Sequence, residues 1–388
     1  MRDKALSGVY VDYFNETHGM VRDTMRRFVN EAVKPHIDAW EEAGGFPREI
    51  YPQAGGLGLL SIGHPTEFGG SGEQDVFLKV AASEELMRSG SGGFVASLGS
   101  LDIGLPPVWR TGSDALKARI VPQVLAGEKI IALAITEPSG GSDVANLKTR
   151  AVRDGDHYVV NGSKTFITSG TRADYYTVAV RTGEAGFGGV SLLLIEKGTP
   201  GFTVGRSLKK MGWWASDTAE LFFDNCLVPV ENLIGVENMG FACIMANFQS
   251  ERLSLAIMAN MTSQMALEEA TRWAKERDAF GKPIGKFQVL KHRLAEMATQ
   301  LEVSREFTYR QAAKMAAGKS VIKEISMAKN FATDVSDRIT YDATQILGGM
   351  GFMRESLVER LYRDNRILSI GGGTHEIMNE IISKQLGL

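Results

Sequence analysis

The residue pattern of this chain changes twice, and these two changes constrain the fold more than any other feature. Up to about residue 130, helical signals alternate with Gly-rich joints. Between residues 131 and 235, short apolar or β-branched runs replace them. After Gly240 helical periodicity returns and holds nearly to the C-terminus. The sequence therefore predicts a mainly α protein with a central β region.

The β region is interpreted as an antiparallel sandwich or barrel, because its runs are short and no helix-length crossover lies between them. Turn signals, among them Asp154-Gly155 and Asn161-Gly162, are expected to separate the strands. The predicted strands contain Tyr158-Val159-Val160, Phe166-Ile167, Tyr176-Thr177-Val178-Ala179-Val180, Leu192-Leu193-Leu194-Ile195 and Leu221-Phe222-Phe223.

The helical regions contain three informative stretches. An amphipathic helix is expected from Tyr13 to about Gly44, broken or kinked at Pro35. Gly55-Gly56-Leu57-Gly58 looks like part of a dinucleotide-binding loop, but no apolar strand leads into it, so we interpret it as a turn. A stripe with alternating three- and four-residue spacing predicts a long helix of a bundle. The stripe consists of Phe287, Leu290, Leu294, Met297 and Leu301.

Three domains follow from this pattern. We place a helical N-terminal domain at residues 1–130, an antiparallel β domain at 131–238 and a C-terminal helical bundle at 239–388. The chain has no internal repeat, low-complexity segment or flexible linker, so the three domains are expected to pack as one unit.

Composition excludes several classes of partner. A net charge of −3 gives no general attraction to nucleic acid or to an anionic membrane. Cys226 and Cys243 are too few for a disulfide framework and too far from other metal-binding residues for a zinc site, so no metal is expected. The start, Met1-Arg2-Asp3-Lys4, leads into no apolar signal segment, and no run has transmembrane length. These features predict a cytoplasmic protein without integral membrane association.

Two neighbouring segments of the β region could bind a heterocycle. The stretch from Ile135 to Asp143 contains hydroxyls and glycines, which let backbone N–H groups approach a flat ring or a phosphate. Phe166 and Thr168 lie two residues apart on a predicted strand and so on the same face, where they could cover a ring and bond its edge. On the residues alone, a strand-entry turn and a half-buried strand explain these segments as well.

Taken together, six stretches resemble the signatures of the acyl-CoA dehydrogenase family in order and spacing, and they span essentially the whole chain. They are Pro65-Thr66-Glu67-Phe68-Gly69-Gly70-Ser71-Gly72, Thr136 to Asp143, Phe166-Ile167-Thr168, Arg277-Asp278-Ala279-Phe280-Gly281, Gln345-Ile346-Leu347-Gly348-Gly349-Met350-Gly351 and Gly373-Thr374-His375-Glu376-Ile377. The resemblance implies a helical domain, a β domain and a four-helix bundle. It also implies a homotetramer (a dimer of dimers), FAD near a subunit interface, an acyl-CoA substrate and an electron-transfer flavoprotein as electron acceptor.

The resemblance also implies which residues touch the cofactor. Thr136 and Thr168 would hydrogen-bond the flavin ring, Phe166 would pack against it, and Ser142 would lie near the pyrophosphate and CoA. The remaining cofactor contacts, several of them to the FAD of the neighbouring subunit, would be Ile135, Ile167, Arg277, Phe280, Gln288, Gln345, Gly348, Gly349, Thr374 and Glu376. Substrate contacts would be Ser142, Phe248, Arg252, Gly372 and Gly373.

The catalytic base departs from the commonest pattern of the family. Desaturation of a thioester requires a carboxylate that takes the α-proton. The family's usual glutamate stands directly before the last Gly-Thr pair, and here that position is Gly372. Some relatives, resembling the long-chain and isovaleryl branches, carry the glutamate before an Arg-Leu pair on the helix that opens the C-terminal domain. Glu251 matches that position, and burial when substrate binds would raise its pKa.

Alternatives to this hypothesis remain. Without the family context, Glu251 would be interpreted as a surface residue paired with Arg or Lys, and Glu376 is the rival base. The glycines at 371–373 would leave space beside the reacting carbons, which favours a long or methyl-branched acyl chain. An acyl-CoA oxidase that uses oxygen and a catalytically silent FAD- or CoA-binding assembly protein are the competing functions.

Overall fold

Helices fill the chain before the first strand in the computed structural model, which describes residues 13–72 and 75–388. Asn15, Asp75 and Ser113 cap three of them by accepting a backbone N–H with the side-chain oxygen, as residues of this kind do at helix starts. The helices are α1 Glu16–Phe28, α2 Ile37–Ala43, α3 Ile50–Gly56, α4 Val76–Met87, α5 Gly92–Leu98, α6 Leu101–Gly104, α7 Pro106–Thr111 and α8 Asp114–Leu125. The chain start, Met1 to Lys4, lies outside the described residues.

The predicted break of the first amphipathic helix at Pro35 is confirmed. After α1 the chain makes one π-helical turn, then a 3₁₀ turn at Lys34–His36, and only then resumes as α2. The glycine stretch at 55–58 is also confirmed as a turn, since α3 ends at Gly56 and Gly58 has φ +74°. No strand precedes it among the described residues, so it is not a dinucleotide-binding loop.

The central region is one sheet in which most strands pair antiparallel, in the order β6-β7-β3-β2-β4-β5-β8. β1 pairs with β4 in parallel, as does one residue pair between β2 and β4. The predicted β region is therefore confirmed, with a small parallel component where the chain enters the sheet. The strands are β1 Ile131–Ala134, β2 Arg150–Asp154, β3 His157–Thr168, β4 Tyr175–Arg181, β5 Val190–Glu196, β6 Phe202–Ser207, β7 Thr218–Pro229 and β8 Leu233–Ile234.

One predicted turn is wrong. Asp154-Gly155 does join β2 to β3, but Asn161-Gly162 lies inside β3, where the pairing with β7 shifts register between Val160 and Gly162. Gly162 has φ +144°, and a Cβ there would stand 2.7 Å from the Cα of Thr149. The glycine therefore marks a β-bulge pressed against a neighbouring segment, because β3 continues along β7 beyond that point.

Long helices form the C-terminal region, with a small hairpin between the first two. α9 packs against both α10 and α11, and Asn260 of α9 accepts from Ser304 (2.6 Å) and donates to Thr308 (3.1 Å) of α10 in the buried interface. The elements are α9 Gly240–Glu276, β9 Asp278–Ala279, β10 Lys282–Pro283, α10 Gln288–Ala316, α11 Ile322–Leu347, α12 Gly349–Phe352, α13 Leu357–Asn365 and α14 His375–Gln385.

The predicted apolar stripe of α10 holds in its second half. Met297 and Leu301 are buried, Leu290 and Leu294 are half-buried, and Phe287 stands at the N-cap position just before the helix. Across the described part of the chain, no helix has both the length and the apolar character needed to span a bilayer.

Candidate active site

A cavity of about 1800 Å³ opens between the N-terminal helices, the loop that follows β1, the end of β3, helix α9 and the turn before α14. This volume exceeds that of a pocket for one drug-sized ligand, which is at most about 1,000 Å³. All three regions of the chain contribute to its walls. The cavity is therefore large enough for an extended cofactor and a substrate together.

The loop after β1 forms one wall and is held by a buried carboxylate. Glu137 accepts backbone N–H groups from Lys148 (2.6 Å) and Thr149 (2.8 Å) and pairs with the Lys164 ammonium at 2.8 Å. Its backbone also exchanges two hydrogen bonds with Gly140, which closes a tight turn. These contacts fix the loop in one conformation beside β3. Ile135, Thr136 and Ser142 all line the cavity.

The charges of this ion pair are both maintained at neutral pH. Burial alone would raise the pKa of Glu137. The Lys164 ammonium and the hydrogen bonds outweigh that effect and lower the pKa to about 2. Burial lowers the pKa of Lys164 to about 8 against the opposing effect of Glu137. Both groups are therefore ionised at pH 7.

The end of β3 brings an aromatic ring and a hydroxyl to the same cavity. Phe166 has φ +60° at a second register shift, between Lys164 and Ile167, and its side chain is 68% exposed. Phe166, Ile167 and Thr168 all line the cavity. The expectation that Phe166 and Thr168 face one site is met, although a bulge rather than regular strand alternation produces it.

Glu251 lies on α9 with its carboxyl group in the cavity wall. Its Oε2 atom is buried and has no hydrogen-bond partner among the described residues. Burial raises the pKa of this carboxyl above its usual value, and the positive charges of Lys329 and then Arg252 oppose the shift. A carboxylate in this setting has lost its water without gaining a proton donor, which makes it a stronger base than an exposed one.

Gly372 faces Glu251 from the turn before α14. A Cβ built on Gly372 would stand 3.4 Å from Glu251 Oε1 and 2.6 Å from the Cδ1 atom of Leu255. A Cβ on Gly373 would stand 2.7 Å from Met378 Cε. The expectation of open space is wrong for Gly372 and Gly373, because side chains, among them Glu251 itself, already stand there.

The rival base is placed differently. Glu376 lies in the first turn of α14, fully exposed, and is not part of the cavity wall. Backbone and Thr374 hydrogen bonds lower the pKa of Glu376. Thr374 caps the same helix by accepting the N–H of Ile377 at 3.3 Å, and it lines the cavity. An exposed carboxylate with a lowered pKa is a weak base.

The other predicted substrate contacts, Phe248 and Arg252, also line the cavity, as do Gly372 and Gly373. A second group of predicted residues lies outside it. Arg277 and Phe280 belong to the hairpin after α9, where Phe280 is 94% exposed at the turn. The predicted cofactor contacts that are exposed and lie outside the cavity are Arg277, Phe280, Gln288, Gln345, Gly348, Gly349 and Glu376. Within one chain they do not contact the cavity that contains Glu251.

Lys329 was missed by the sequence reasoning. It is fully buried on α11 and donates to the Gly373 carbonyl. The signal was available: Lys329 comes four residues after Ile325 and three before Ala332, both buried, so it lies on the apolar face of its helix. A lysine there has to find a buried partner.

The residues present fit FAD. The cavity volume of about 1800 Å³ is large enough for more than one ligand, and Phe166 offers an exposed ring to it. Thr136 and Thr168 supply hydroxyls, and the position of a Cβ on Gly140 is open on all sides, so a ligand can approach the loop backbone. When bound, FAD supplies the hydride acceptor that this chain's own side chains lack.

Comparison with known proteins agrees with this geometry. Models of the acyl-CoA dehydrogenase N-terminal, middle and C-terminal domains match residues 15–128, 132–226 and 238–387. A mitochondrial long-chain specific acyl-CoA dehydrogenase from Sus scrofa is 38% identical over 96% of this chain and 87% of its own length.

Solved structures show the same likeness. The crystal structure of an acyl-CoA dehydrogenase from Geobacillus kaustophilus is 40% identical, with a TM-score of 0.94 over 97% of this chain and 99% of that one. A glutaryl-CoA dehydrogenase from Mycobacterium smegmatis in complex with FADH2 is 26% identical, with a TM-score of 0.90 over 97% of this chain and 95% of that one. The chain therefore belongs to the acyl-CoA dehydrogenase family, as an enzyme that uses FAD to dehydrogenate acyl-CoA thioesters.

Proposed function

We propose that Glu251 is the base that removes the α-proton of the acyl-CoA substrate. The observation that carries this proposal is the buried Oε2 atom in the cavity wall, which has no hydrogen-bond partner among the described residues. Burial also raises the pKa of the Glu251 carboxyl. A base with a raised pKa that is still ionised near neutral pH has the greatest driving force for proton transfer.

The reaction balances with this residue as proton acceptor. The Cα–H bond breaks and its proton passes to a Glu251 oxygen, while the electron pair of that bond forms the Cα=Cβ double bond. Bound FAD would accept the hydride that leaves Cβ, and the product would be a trans-2-enoyl-CoA. Glu251 must return its proton to solvent before the next turnover.

The test is single-turnover flavin reduction by an acyl-CoA, followed by bleaching of flavin absorbance. Glu251→Gln should retain FAD and lose about 10²- to 10⁴-fold in rate, because the amide cannot accept the proton. Glu269→Gln, on the same helix but paired with an exposed Arg272, is the matched control and should react like the wild type. Reduction of the Glu251→Gln protein at the wild-type rate would remove Glu251 from the mechanism.

We further propose that the predicted cofactor contacts divide between two subunits. Thr136, Phe166 and Thr168 line the cavity of their own chain, whereas Arg277, Phe280, Gln288, Gln345 and Gly349 would serve the FAD of a neighbouring chain. Support comes from exposed apolar side chains at or close in sequence to these positions: Phe280 is 94% exposed, and Phe352, three residues after Gly349, is 83% exposed. Light scattering should give four times the 42.3 kDa of one chain.

The substrate preference that we propose is a long or methyl-branched acyl chain, and its support is indirect. The cavity has a volume of about 1800 Å³, and the Sus scrofa relative is a long-chain specific enzyme. A panel of acyl-CoA substrates of different length and branching, assayed with an artificial electron acceptor, tests the preference. Activity confined to short straight chains would contradict it.

For the electron acceptor we propose an electron-transfer flavoprotein, with oxygen as the alternative of an oxidase. Stopped-flow reoxidation of the reduced enzyme in air separates the two, since fast peroxide formation would identify an oxidase. The cytoplasmic location also stays a prediction from the sequence.

A further inference from the structure

Lys329 is fully buried, and it has no direct part in α-proton removal by Glu251 or in hydride transfer to FAD. It lies on α11, and among the described residues its ammonium has a single hydrogen-bond acceptor, the Gly373 carbonyl. A buried ammonium is costly unless its charge interacts with other groups, because it has given up its hydration shell. The groups that receive this charge therefore indicate what the lysine does.

The first of these groups is the glycine turn that faces the base. Lys329 donates to the carbonyl of Gly373, and the Arg252 Nε donates to the carbonyl of Gly372 at 3.4 Å. The turn has left-handed backbone at both glycines, with φ +63° and +97°. It stands against the Glu251 carboxylate, as the 3.4 Å approach of a Cβ at position 372 shows. The side chains of Lys329 and Arg252 thus fix the backbone of the turn that contacts the Glu251 carboxylate.

The second group is the Glu251 carboxylate itself. Two positive charges lower the pKa of this carboxyl. The larger effect comes from Lys329 on α11, which packs against α9, and the smaller from Arg252 on α9 itself. The turn at 371–373 adds no charged side chain. Among the described residues no ion pair with N···O within 4.0 Å involves Glu251. The positive charge therefore acts without occupying the oxygens, and these stay free for a substrate proton.

We propose that Lys329 is a positioning residue for α-proton removal: its charge stabilises the ionised form of Glu251, and its hydrogen bond fixes the glycine turn beside that carboxylate. This inference rests on the proposed role of Glu251 as the base. Lys329 does not line the cavity, so it would act on the substrate through these two groups.

The protonation state of the lysine is compatible with this role. Burial lowers the pKa of Lys329 to about 8, against the opposing effect of Glu251. Since about 8 lies above 7, the ammonium is mostly charged at neutral pH. Loss of that charge would leave burial less opposed, so the pKa of Glu251 would rise further. The rate of flavin reduction falls as pH drops through the Glu251 pKa, and this acid limb would therefore move to higher pH.

The experiment measures the acid limb of flavin reduction in FAD-loaded wild type, Lys329→Met and Lys329→Gln. In both uncharged variants the limb should move upward by about one pH unit, the size of shift that one nearby charge produces. Lys329→Arg keeps the charge and should keep the wild-type limb. Lys323→Met removes a charge from the half-buried lysine near the start of the same helix and should also keep it.

Several outcomes would overturn the inference. One is an unmoved limb in either uncharged variant that retains FAD, and another is an equal shift in Lys329→Arg or Lys323→Met. Failure of both uncharged variants to fold, beside a normal Lys329→Arg protein, would assign Lys329 to the fold alone. Glu251→Gln measured alongside separates the two proposals: fast reduction in that variant refutes the base, whereas an unmoved limb with slow Glu251→Gln reduction refutes only the role of Lys329.

Discussion

Glu251 and Gly372 lie far apart in the sequence, yet a Cβ at position 372 would stand 3.4 Å from Glu251 Oε1. A carboxylate could therefore reach the same volume from either position. In this chain the helix supplies the carboxylate, and position 372 of the turn has no side chain that would compete with it for this volume. Gly372 has φ +63°, a conformation that costs roughly 1–2 kcal/mol for a residue with a Cβ, so glycine suits the turn once the base stands on α9.

Moving the carboxylate from position 251 to position 372 tests whether both positions reach the same volume. Glu251→Gly should abolish flavin reduction, and adding Gly372→Glu together with Leu255→Ala should restore part of it. Leu255→Ala is needed because a Cβ at 372 would stand 2.6 Å from Leu255 Cδ1. Rapid-mixing flavin reduction measures the recovery, which we expect to be at least about tenfold over Glu251→Gly. The Glu251→Gly/Leu255→Ala protein is the control, and equal rates in the two multiple variants would contradict a shared volume.

Single residues also show where sequence reasoning ended. The spacing before an Arg-Leu pair was enough to propose Glu251, and the structure places that side chain in the cavity wall. Lys329 could not be assigned to the same site, because the approach of α11 to the turn at 371–373 is a tertiary contact. The glycines at 371–373 were expected to border open space, since a sequence does not show which side chains fill a gap.

Among the elements, the loop after β1 depends on one buried ion pair. Lys164 is fully buried and Glu137 is 5% exposed, and the Glu137 carboxylate also holds the backbone of Lys148 and Thr149. Removal of one partner from a buried pair leaves the other charge uncompensated. The loop that carries Thr136 and Ser142 should then lose its fixed conformation.

We predict that Lys164→Met destabilises the protein by about 3–5 kcal/mol and weakens FAD binding. Thermal unfolding and the release of free flavin on dilution measure the two effects. Arg272→Met breaks the exposed pairs with Glu269 and Glu276 and should cost less than about 1 kcal/mol with no change in FAD binding. Equal losses in the two variants would show that the buried pair has no special role in the loop.

Element prediction failed where one strand has two partners. Asn-Gly is a strong hairpin signal, yet Asn161-Gly162 lies within β3, because that strand continues along β7 past the end of its pairing with β2. Local sequence could not show this, since the pairing of β3 with β7 joins distant parts of the chain. The apolar runs themselves were sufficient to find β3, β4, β5 and β7.

On the scale of the whole molecule, one buried acid joins the three regions, and a second buried acid influences it. Asp364 of α13 accepts the N–H groups of Gly92 (3.0 Å) and Trp213 (2.6 Å), which belong to the helical and β regions. Glu41 of α2 is also buried and accepts from Ser91 at 2.5 Å. Burial, and next the negative charge of Glu41, raise the pKa of Asp364 to about 7.

This raised pKa predicts how stability depends on pH. In the unfolded chain the pKa of an aspartate is about 3.9, so between that value and about 7 the folded protein holds the extra proton. The contribution of this group to stability is therefore full at low pH and is lost as pH rises through 7. Glu41→Gln removes the neighbouring charge and should stabilise the protein by about 1 kcal/mol at pH 8.

Thermal unfolding of wild type and Glu41→Gln at pH 5 and pH 8 measures this effect. The advantage of the variant should be present at pH 8 and nearly absent at pH 5, where Asp364 is protonated in both proteins. Glu42→Gln changes the adjacent residue, an exposed partner of Arg354, and should show no such pH dependence. An advantage of equal size at both pH values would contradict the coupling of the two acids.

The order of helical, β and helical regions was predictable for the whole molecule, because each has its own periodicity. Their mutual arrangement was not, since contacts such as that between Asp364 and Gly92 join residues far apart in sequence. The cavity exists only through that arrangement, with walls from all three regions. The division of the chain into domains at residues 130 and 238 stays a prediction.

The central claim is that Glu251 takes the α-proton. The most direct test uses a substrate analogue that cannot transfer a hydride, so that proton removal is measured alone. An acyl-CoA with sulfur in place of Cβ has no hydride to give, and exchange of its α-proton with D2O, followed by mass spectrometry, reports proton removal alone. The FAD-loaded wild type and Glu376→Gln should both exchange this proton, and Glu251→Gln should exchange it at least about 10²-fold more slowly. Undiminished exchange in Glu251→Gln would contradict the account.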